Sequence, residues 1–484
     1  YWIHWGESTG DSTSISLVVN SRTFHLEYAA SVPDALRRFP RWAHSVPVGP
    51  GSKVDRVRAL DDLIRETFTD DAGRRALPYI STRGISSPLN VDMDRVRAFV
   101  ATAPTFPAQG LVLPRDGLDT HQALRALLAR RTLRRLLALI VKRFELTRSA
   151  RHRGLYQQCV EVLLARTDEA IERLCSEPEI VSIVAVSLAN EVRYEDPLAE
   201  DLACILIPEF EASGADSEPF VVLPDLDGAF TLRRAGVRVV TDTPYRELVI
   251  RVVSGKWMVH LDGRLYAPML APGLRLEELP RLCGNGPHLS PAPTTWLARN
   301  VRGQELSVAD PAAFREFCDA MLSGAEALAA AWPAAWREVR EGIRWLLPLP
   351  DRGPAAFNYS VHAFRGLIVS SPRRNHRCAQ TLAHEAGHNR LSTLLDLVDL
   401  CADPSRVVTS PVVNAARPIS FVFHGCFAFI QDVVVTERLL PSASYSERAS
   451  MERYLDEARR KTAAALKVLR RETVPTAVGE VVLS

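Results

Sequence analysis

The segment His384-Glu385-Ala386-Gly387-His388 constrains this chain more than any other. Two imidazoles four positions apart on a helix lie about 40° apart around its axis and one turn apart along it. Both can therefore face one metal ion, and the glutamate between them can touch whatever else that ion binds. The competing reading is a surface helix that happens to carry two histidines. With 12 histidines in 484 residues, such a match arises by chance in roughly one chain in fifty. A helix of this kind also needs a second element beside it, because two histidines do not complete a catalytic metal site.

A chain of 484 residues is too long for one small core, so two or three packed units are expected. The 47% hydrophobic and 24% charged content suits a soluble globular protein. Lys+Arg of 59 against Asp+Glu of 57 argues against a dedicated nucleic-acid binder. No run approaches about 18 consecutive apolar residues, so no membrane span is expected. The opening Tyr1-Trp2-Ile3-His4-Trp5 carries no basic region followed by an apolar run, so no signal peptide is expected, and it carries no initiator Met. The eight cysteines (159, 175, 204, 283, 318, 378, 401 and 426) form no Cys-x-x-Cys. A reduced, cytoplasmic protein is therefore expected.

The pattern divides the chain into a mixed region (1–120), a helical region (121–215), a β-rich block (216–300) and a helical domain carrying the motif (301–484). The fold class is α+β, mainly helical, with a small inserted sheet and a metal site between two C-terminal helices. Ile15–Val19 and Thr23–Tyr28 read as a hairpin, and Val54–Phe68 has helical spacing. Leucines from Leu124 to Leu137 recur at three- and four-residue intervals, predicting helix from His121 to about Cys175. Arg130, Arg131, Arg134, Arg135, Lys142 and Arg143 in that segment read as a solvated face, or as a docking surface for an acidic peptide. Short β-branched runs from Phe220 to Leu289 predict strands, with Asp262-Gly263 as a tight turn. Asp310-Pro311 starts a helix, and Ala334 to Leu347 predicts another. Beyond them come a strand over Ala363–Ser370, the motif helix from Asn375 to Leu400, and helices over Ile419–Leu439 and Ser446–Arg470. No internal repeat is evident.

The third ligand decides the chemistry. The longer His-Glu-x-x-His-x-x-Gly-x-x-His pattern fails, because Leu391 and Leu394 hold its last two positions. Asp396 and Asp399 would lie about 12 and 16 Å along the axis from His388, out of reach. His424, in a strongly apolar helix where an unpaired imidazole is costly, is the leading candidate; a hydrogen-bonded core histidine is the alternative. Asp432 and Glu437 could instead supply a carboxylate, Glu437 being the choice under a thermolysin-like reading. Arg417, just before Pro418, suits bidentate capture of a carboxylate, or an ordinary ion pair.

Gly366-Leu367-Ile368-Val369-Ser370, Leu382-Ala383-His384-Glu385-Ala386-Gly387-His388, Ser410-Pro411, Arg417-Pro418 and His424-Gly425-Cys426-Phe427-Ala428-Phe429 together resemble the HEXXH motif-containing peptide-modification proteins encoded with ribosomally made peptide natural products. The resemblance covers the C-terminal third well and the rest loosely. It implies a non-haem iron enzyme that uses 2-oxoglutarate and O₂ to hydroxylate β-carbons in a precursor peptide. It implies His384, His388 and His424 as Fe(II) ligands and Arg417 as the anchor for the cosubstrate's distal carboxylate. Glu385 would then orient a ligand or bond an iron-bound water. The rival is a zinc metallopeptidase, for instance one removing a leader peptide, in which Glu385 activates a zinc-bound water and the 366–370 strand pairs with substrate. A non-enzymatic peptide-binding scaffold is the third class. A peptide groove bordered by the 366–370 strand is expected, with no nucleic acid and no membrane as partners.

Overall fold

The computed structural model describes residues 89–484 apart from 116–118, 190–197, 233, 295–296, 298–307, 350–357, 362–363 and 372–374, together with the backbone of three strands nearer the start. Those strands, β1 (Trp2–Trp5), β2 (Thr13–Val19) and β3 (Arg22–Tyr28), pair antiparallel in the order β1-β2-β3. The pairing expected of Ile15–Val19 with Thr23–Tyr28 is thus present, with Val19 opposite Arg22. The helical spacing at 54–68 falls outside the described residues.

Helices dominate the chain between residues 93 and 213: α1 (Met93–Ala101), α2 (Thr120–Leu146), α3 (Ala150–Leu164), α4 (Asp168–Cys175), α5 (Pro178–Ala189), α6 (Leu198–Ile205) and α7 (Ile207–Ser213). The single long helical pattern from His121 is broken twice, because local side chains offer better starts. Ser149 accepts from the His152 N–H and Thr167 from the Ala170 N–H, each capping a donor that the helix cannot satisfy itself. The solvated face expected of the basic residues on α2 is present only in part: Lys142 is exposed, and Arg131, Arg134 and Arg135 are half-buried. Arg130 and Arg143 are buried. Arg130 bonds Glu172 at 2.7 Å and the Ala126 carbonyl, with its guanidinium over Phe99. A guanidinium can be buried in this way when its fork of donors is used.

The β-rich block forms two antiparallel sheets where one was expected. One has the order β10-β6-β5 and the other β4-β7-β8-β9, from β4 (Phe220–Val222), β5 (Phe230–Leu232), β6 (Val237–Thr241), β7 (Leu248–Val253), β8 (Lys256–Leu261), β9 (Arg264–Tyr266) and β10 (Leu274–Glu278). Asp262 and Gly263 both have positive φ, 48° and 77°, as a type I′ hairpin turn requires.

The remainder contains β11 (His288–Leu289), α8 (Pro311–Ala331), α9 (Pro333–Gly342), β12 (Trp345–Pro348), β13 (Asn358–Val361), β14 (Phe364–Ser370), α10 (Asn375–Leu397), β15 (Val407–Ser410), β16 (Ala415–Pro418), α11 (Ile419–Leu439), α12 (Tyr445–Glu472) and α13 (Ala477–Leu483). Asp310 caps α8 through the Ala312 and Ala313 N–H groups, as Asp-Pro implied. The helix expected to reach Leu347 instead stops at Gly342. Trp345 to Pro348 become β12, buried at every position, because they run parallel to β14 in the sheet β11-β12-β14-β13. All seven residues of β14 are buried, with α5 and α10 both packed against the strand. A strand buried on both sides reads as a continuous apolar run, hard to tell from helix by periodicity. Among the described residues 57% are helical and 16% lie in strands, a mixed α+β composition.

The motif helix α10 is enclosed. Cys378, Ala379, Leu382 and Ala383 pack with Phe317, Met321 and Leu328 of α8 and with Val435 of α11. Leu391 and Leu394 pack with Ile419, Val422, Phe423 and Phe427 of α11 and with Leu469 of α12. By length and composition Ile419–Ser442 is apolar enough to cross a bilayer; here α11 lies against both α10 and α12.

Arg390, two residues past the motif, makes a buried ion pair with Glu338 of α9 and also donates to the Gly110 and Leu111 carbonyls. Breaking a buried pair strands a charge. Glu338→Ala is predicted to lower unfolding free energy by about 3–5 kcal/mol in urea titration. Glu437→Ala, in the exposed pair with Arg459, should change it by less than about 1 kcal/mol. Equal effects would contradict this account of how α10 is held.

Candidate functional site

The two helices that carry the candidate ligands meet at Gly387, inside the motif. A Cβ there would lie 2.6 Å from Gln431 Cγ and 3.1 Å from the Phe427 carbonyl oxygen. A larger residue would have to push the buried Gln431 side chain aside and crowd the Phe427 carbonyl. The contact sets His424, on the second turn of α11, opposite His388.

The rings of His384 and His388 have centroids 4.9 Å apart, and those of His388 and His424 are 5.5 Å apart. His388 Nδ1 and His424 Nδ1 are separated by 3.4 Å. Two nitrogens each about 2.1 Å from one ion, at tetrahedral to octahedral angles, are roughly 3.0–3.4 Å apart. This pair has ligand spacing. Among the described residues no group of three His, Cys, Asp or Glu side chains is poised around a common ion position as placed. The three histidines line one cavity, and their rings do not meet at one point.

Behind His384 stands Asp432, fully buried on α11. His384 Nδ1 donates to Asp432 Oδ2 at 2.9 Å, and the Tyr454 hydroxyl of α12 donates to the same oxygen at 2.7 Å. That contact fixes the ring and leaves Nε2 for the cavity, the usual carboxylate–histidine support of a metal ligand. Burial alone would push His384 down, but the Asp432 charge and hydrogen bond outweigh it and lift the ring to about 9. His388 moves the other way: burial, then the neighbouring His384 and His424, hold it well below its ordinary value. Burial likewise raises Glu385, which Ser360 of β13 hydrogen-bonds. Its Oε2 is buried with no partner, an orphan acceptor that a metal-bound water or a protonated substrate group would satisfy.

The cavity has a volume of about 410 Å³ and is lined by all three histidines, Glu385, Ser360 and Arg417. Phe421 and Phe429 also line it; Phe429 meets His384 edge-on at 5.8 Å, and the Arg417 guanidinium lies 5.8 Å from the Phe421 ring centre. Arg417, on β16, has no carboxylate partner among the described residues, so the ion pair considered for it is not formed there. Neither carboxylate considered as the third ligand takes that place. Glu437 is exposed and bonds Arg459 at 2.7 Å, and Asp432 is engaged behind His384. Asp396 bonds Arg365 at 2.6 Å, away from the histidines as its helical distance required. The residues that sequence reasoning missed are Tyr454, Ser360 and the two phenylalanines. Only Asp432 carried a signal, a charged residue two turns past His424 in an apolar helix.

No family model matches this chain, and no curated protein matches it.

If Asp432 orients His384, Asp432→Asn should weaken binding of a divalent transition metal by about 10–100-fold, with the far-UV circular dichroism unchanged. Competition against a chromophoric chelator measures this. Unaltered affinity would show that the contact is structural only.

Proposed function

We propose that this chain is a non-haem Fe(II)- and 2-oxoglutarate-dependent oxygenase that hydroxylates a residue, at the β-carbon, of a ribosomally made precursor peptide. The observation that carries the reading is the 3.4 Å approach of His388 and His424, taken with Glu437 held at the surface by Arg459. The third protein ligand is then an imidazole and not the carboxylate of a thermolysin-like site. The peptide substrate and the cosubstrate rest on the resemblance of 366–429 to the peptide-modification family.

The three imidazoles lining one cavity are the donor type such an ion takes. His384, His388 and His424 would hold it and leave coordination positions open for a bidentate acid and O₂. Bound there, ferrous iron with a 2-oxo acid supplies the oxidation that puts one oxygen of O₂ into a C–H bond and the other into the decarboxylated acid. The chain's own part is placement. Arg417, packed on Phe421, offers a planar fork to a carboxylate entering the cavity. Phe421, Phe429 and Val412 keep water from the reacting bond. Glu385, oriented by Ser360, accepts a hydrogen bond from a group on the ion.

The zinc-peptidase reading keeps one specific support, the orphaned Oε2 of Glu385, which is where that chemistry would put its base. Its substrate strand cannot pair with 366–370 as expected, because β14 is bonded to β12 on one side and β13 on the other. Strand addition needs a sheet edge, and among the described strands of this sheet β13 holds one.

Reconstitution with Fe(II) and 2-oxoglutarate under anaerobic conditions should give a visible charge-transfer band, lost in His424→Ala and kept in Glu437→Ala. A band that survives His424→Ala would remove the histidine from the ligand set. Co-expression with the precursor peptide should add 16 Da to it, and Glu385→Gln should retain some of that product. A shortened peptide, abolished in Glu385→Gln, would establish hydrolysis instead.

A further inference from the structure

A second cavity, about 470 Å³, opens where α2, α4 and α9 converge, and Ile343 lines both it and the histidine cavity. Its lining contains five arginines (125, 173, 337, 340 and 344) and four carboxylates (Asp119, Glu172, Glu177 and Glu341). Two of those carboxylates are already engaged. Arg130, from outside the cavity, takes Glu172 at 2.7 Å, and Glu341 is shared by Arg125 at 3.3 Å and Arg340 at 3.6 Å. Arg173, Arg337 and Arg344 have no carboxylate partner among the described residues. The Arg344 Nη2 donates to the Arg234 carbonyl at 2.9 Å, while its Nε is buried and without a hydrogen bond. Among the described residues no Phe, Tyr or Trp lines the space, so none of them would stack a nucleobase there.

The geometry points to this cavity as a binding site for a ligand bearing two or more carboxylates, held by Arg173, Arg337 and Arg344 in the way Arg125 and Arg340 already hold Glu341. Guanidinium forks match carboxylates in pairs of hydrogen bonds. The cavity is too large for one small ion and suits a small polyacid or a run of acidic side chains. His121, which also lines this cavity, lies 3.8 Å from Glu338 and 3.5 Å from Glu341, yet it is held well below its usual value mainly by its burial and then by Arg390, Arg125 and Arg337.

The wall toward the histidines is thin. The Arg344 N–H donates to the Gly366 carbonyl at 2.7 Å, and a Cβ on Gly366 (φ 71°) would lie 2.3 Å from Pro178 Cβ. Gly366 lines the first cavity and Pro178 the second. What fills the second cavity therefore sits one residue behind the first.

The site is independent of any metal held by the histidines, so its test uses the full chain after chelator treatment. Citrate and a hexaglutamate peptide are titrated calorimetrically at low ionic strength. Saturable one-site binding is expected, weakened about tenfold or more in the Arg173→Ala/Arg337→Ala double variant, and unchanged in Arg264→Ala, on β9. Both replaced arginines are exposed, and an unaltered thermal transition checks that the double variant folds. Tighter binding of the peptide identifies acidic side chains of a chain as the ligand; citrate binding as well or better identifies a free polyacid. Absence of saturable binding by both probes, or equal loss in Arg264→Ala, overturns the proposal.

Discussion

The absence of a side chain at residue 387 lets two helices touch, and the candidate site is a consequence of that touch. With the Phe427 carbonyl and Gln431 against the motif helix, residues on α11 are brought into register with residues on α10 one turn at a time. His424 falls opposite His388, and Asp432, two turns on, falls behind His384. Without the approach, the four groups would be two unrelated pairs on two amphipathic surfaces. Close helix contact through glycine is a packing device; here it also determines which side chains meet.

The surrounding layers make that contact rigid. α10 is flanked by α8 and α11, and its C-terminal half is tied to α9 and to the chain near Gly110 through Arg390. α12 then closes the outer side, contributing apolar residues along its length and one hydroxyl at Tyr454. A hydrogen bond accepted by an ionised carboxylate in a dry interior is stronger than its surface equivalent, so Asp432 has little freedom to turn. The polar groups of the site are held by neighbours that are themselves held.

Much of this was legible in the residues and some was not. The motif helix and α11 were readable because their apolar positions repeat at helical spacing and their ends carry breakers, Pro418 among them. His424 was readable as the odd polar residue in an apolar run, and Glu437 could be weighed only as a position, since its exposure depends on which face α12 covers. β12 was mistaken for helix because Trp345-Leu346-Leu347 is a continuous apolar run, and its pairing with β14 is a long-range fact. Arg130 of α2 looked like part of a solvated face because sequence shows charge but not the acidic residue of α4 that meets it. Tyr454 had no signal at all: a tyrosine in a charged helix looks the same whether or not its hydroxyl reaches a buried carboxylate.

The dependence on α12 has a consequence for how the molecule is made. During synthesis His384 and His388 leave the ribosome some seventy residues ahead of the tyrosine that anchors their support. A nascent chain therefore displays two imidazoles without the Asp432–Tyr454 support until α12 has emerged. If the rings hold an ion as proposed, its selection must await the docking of α12.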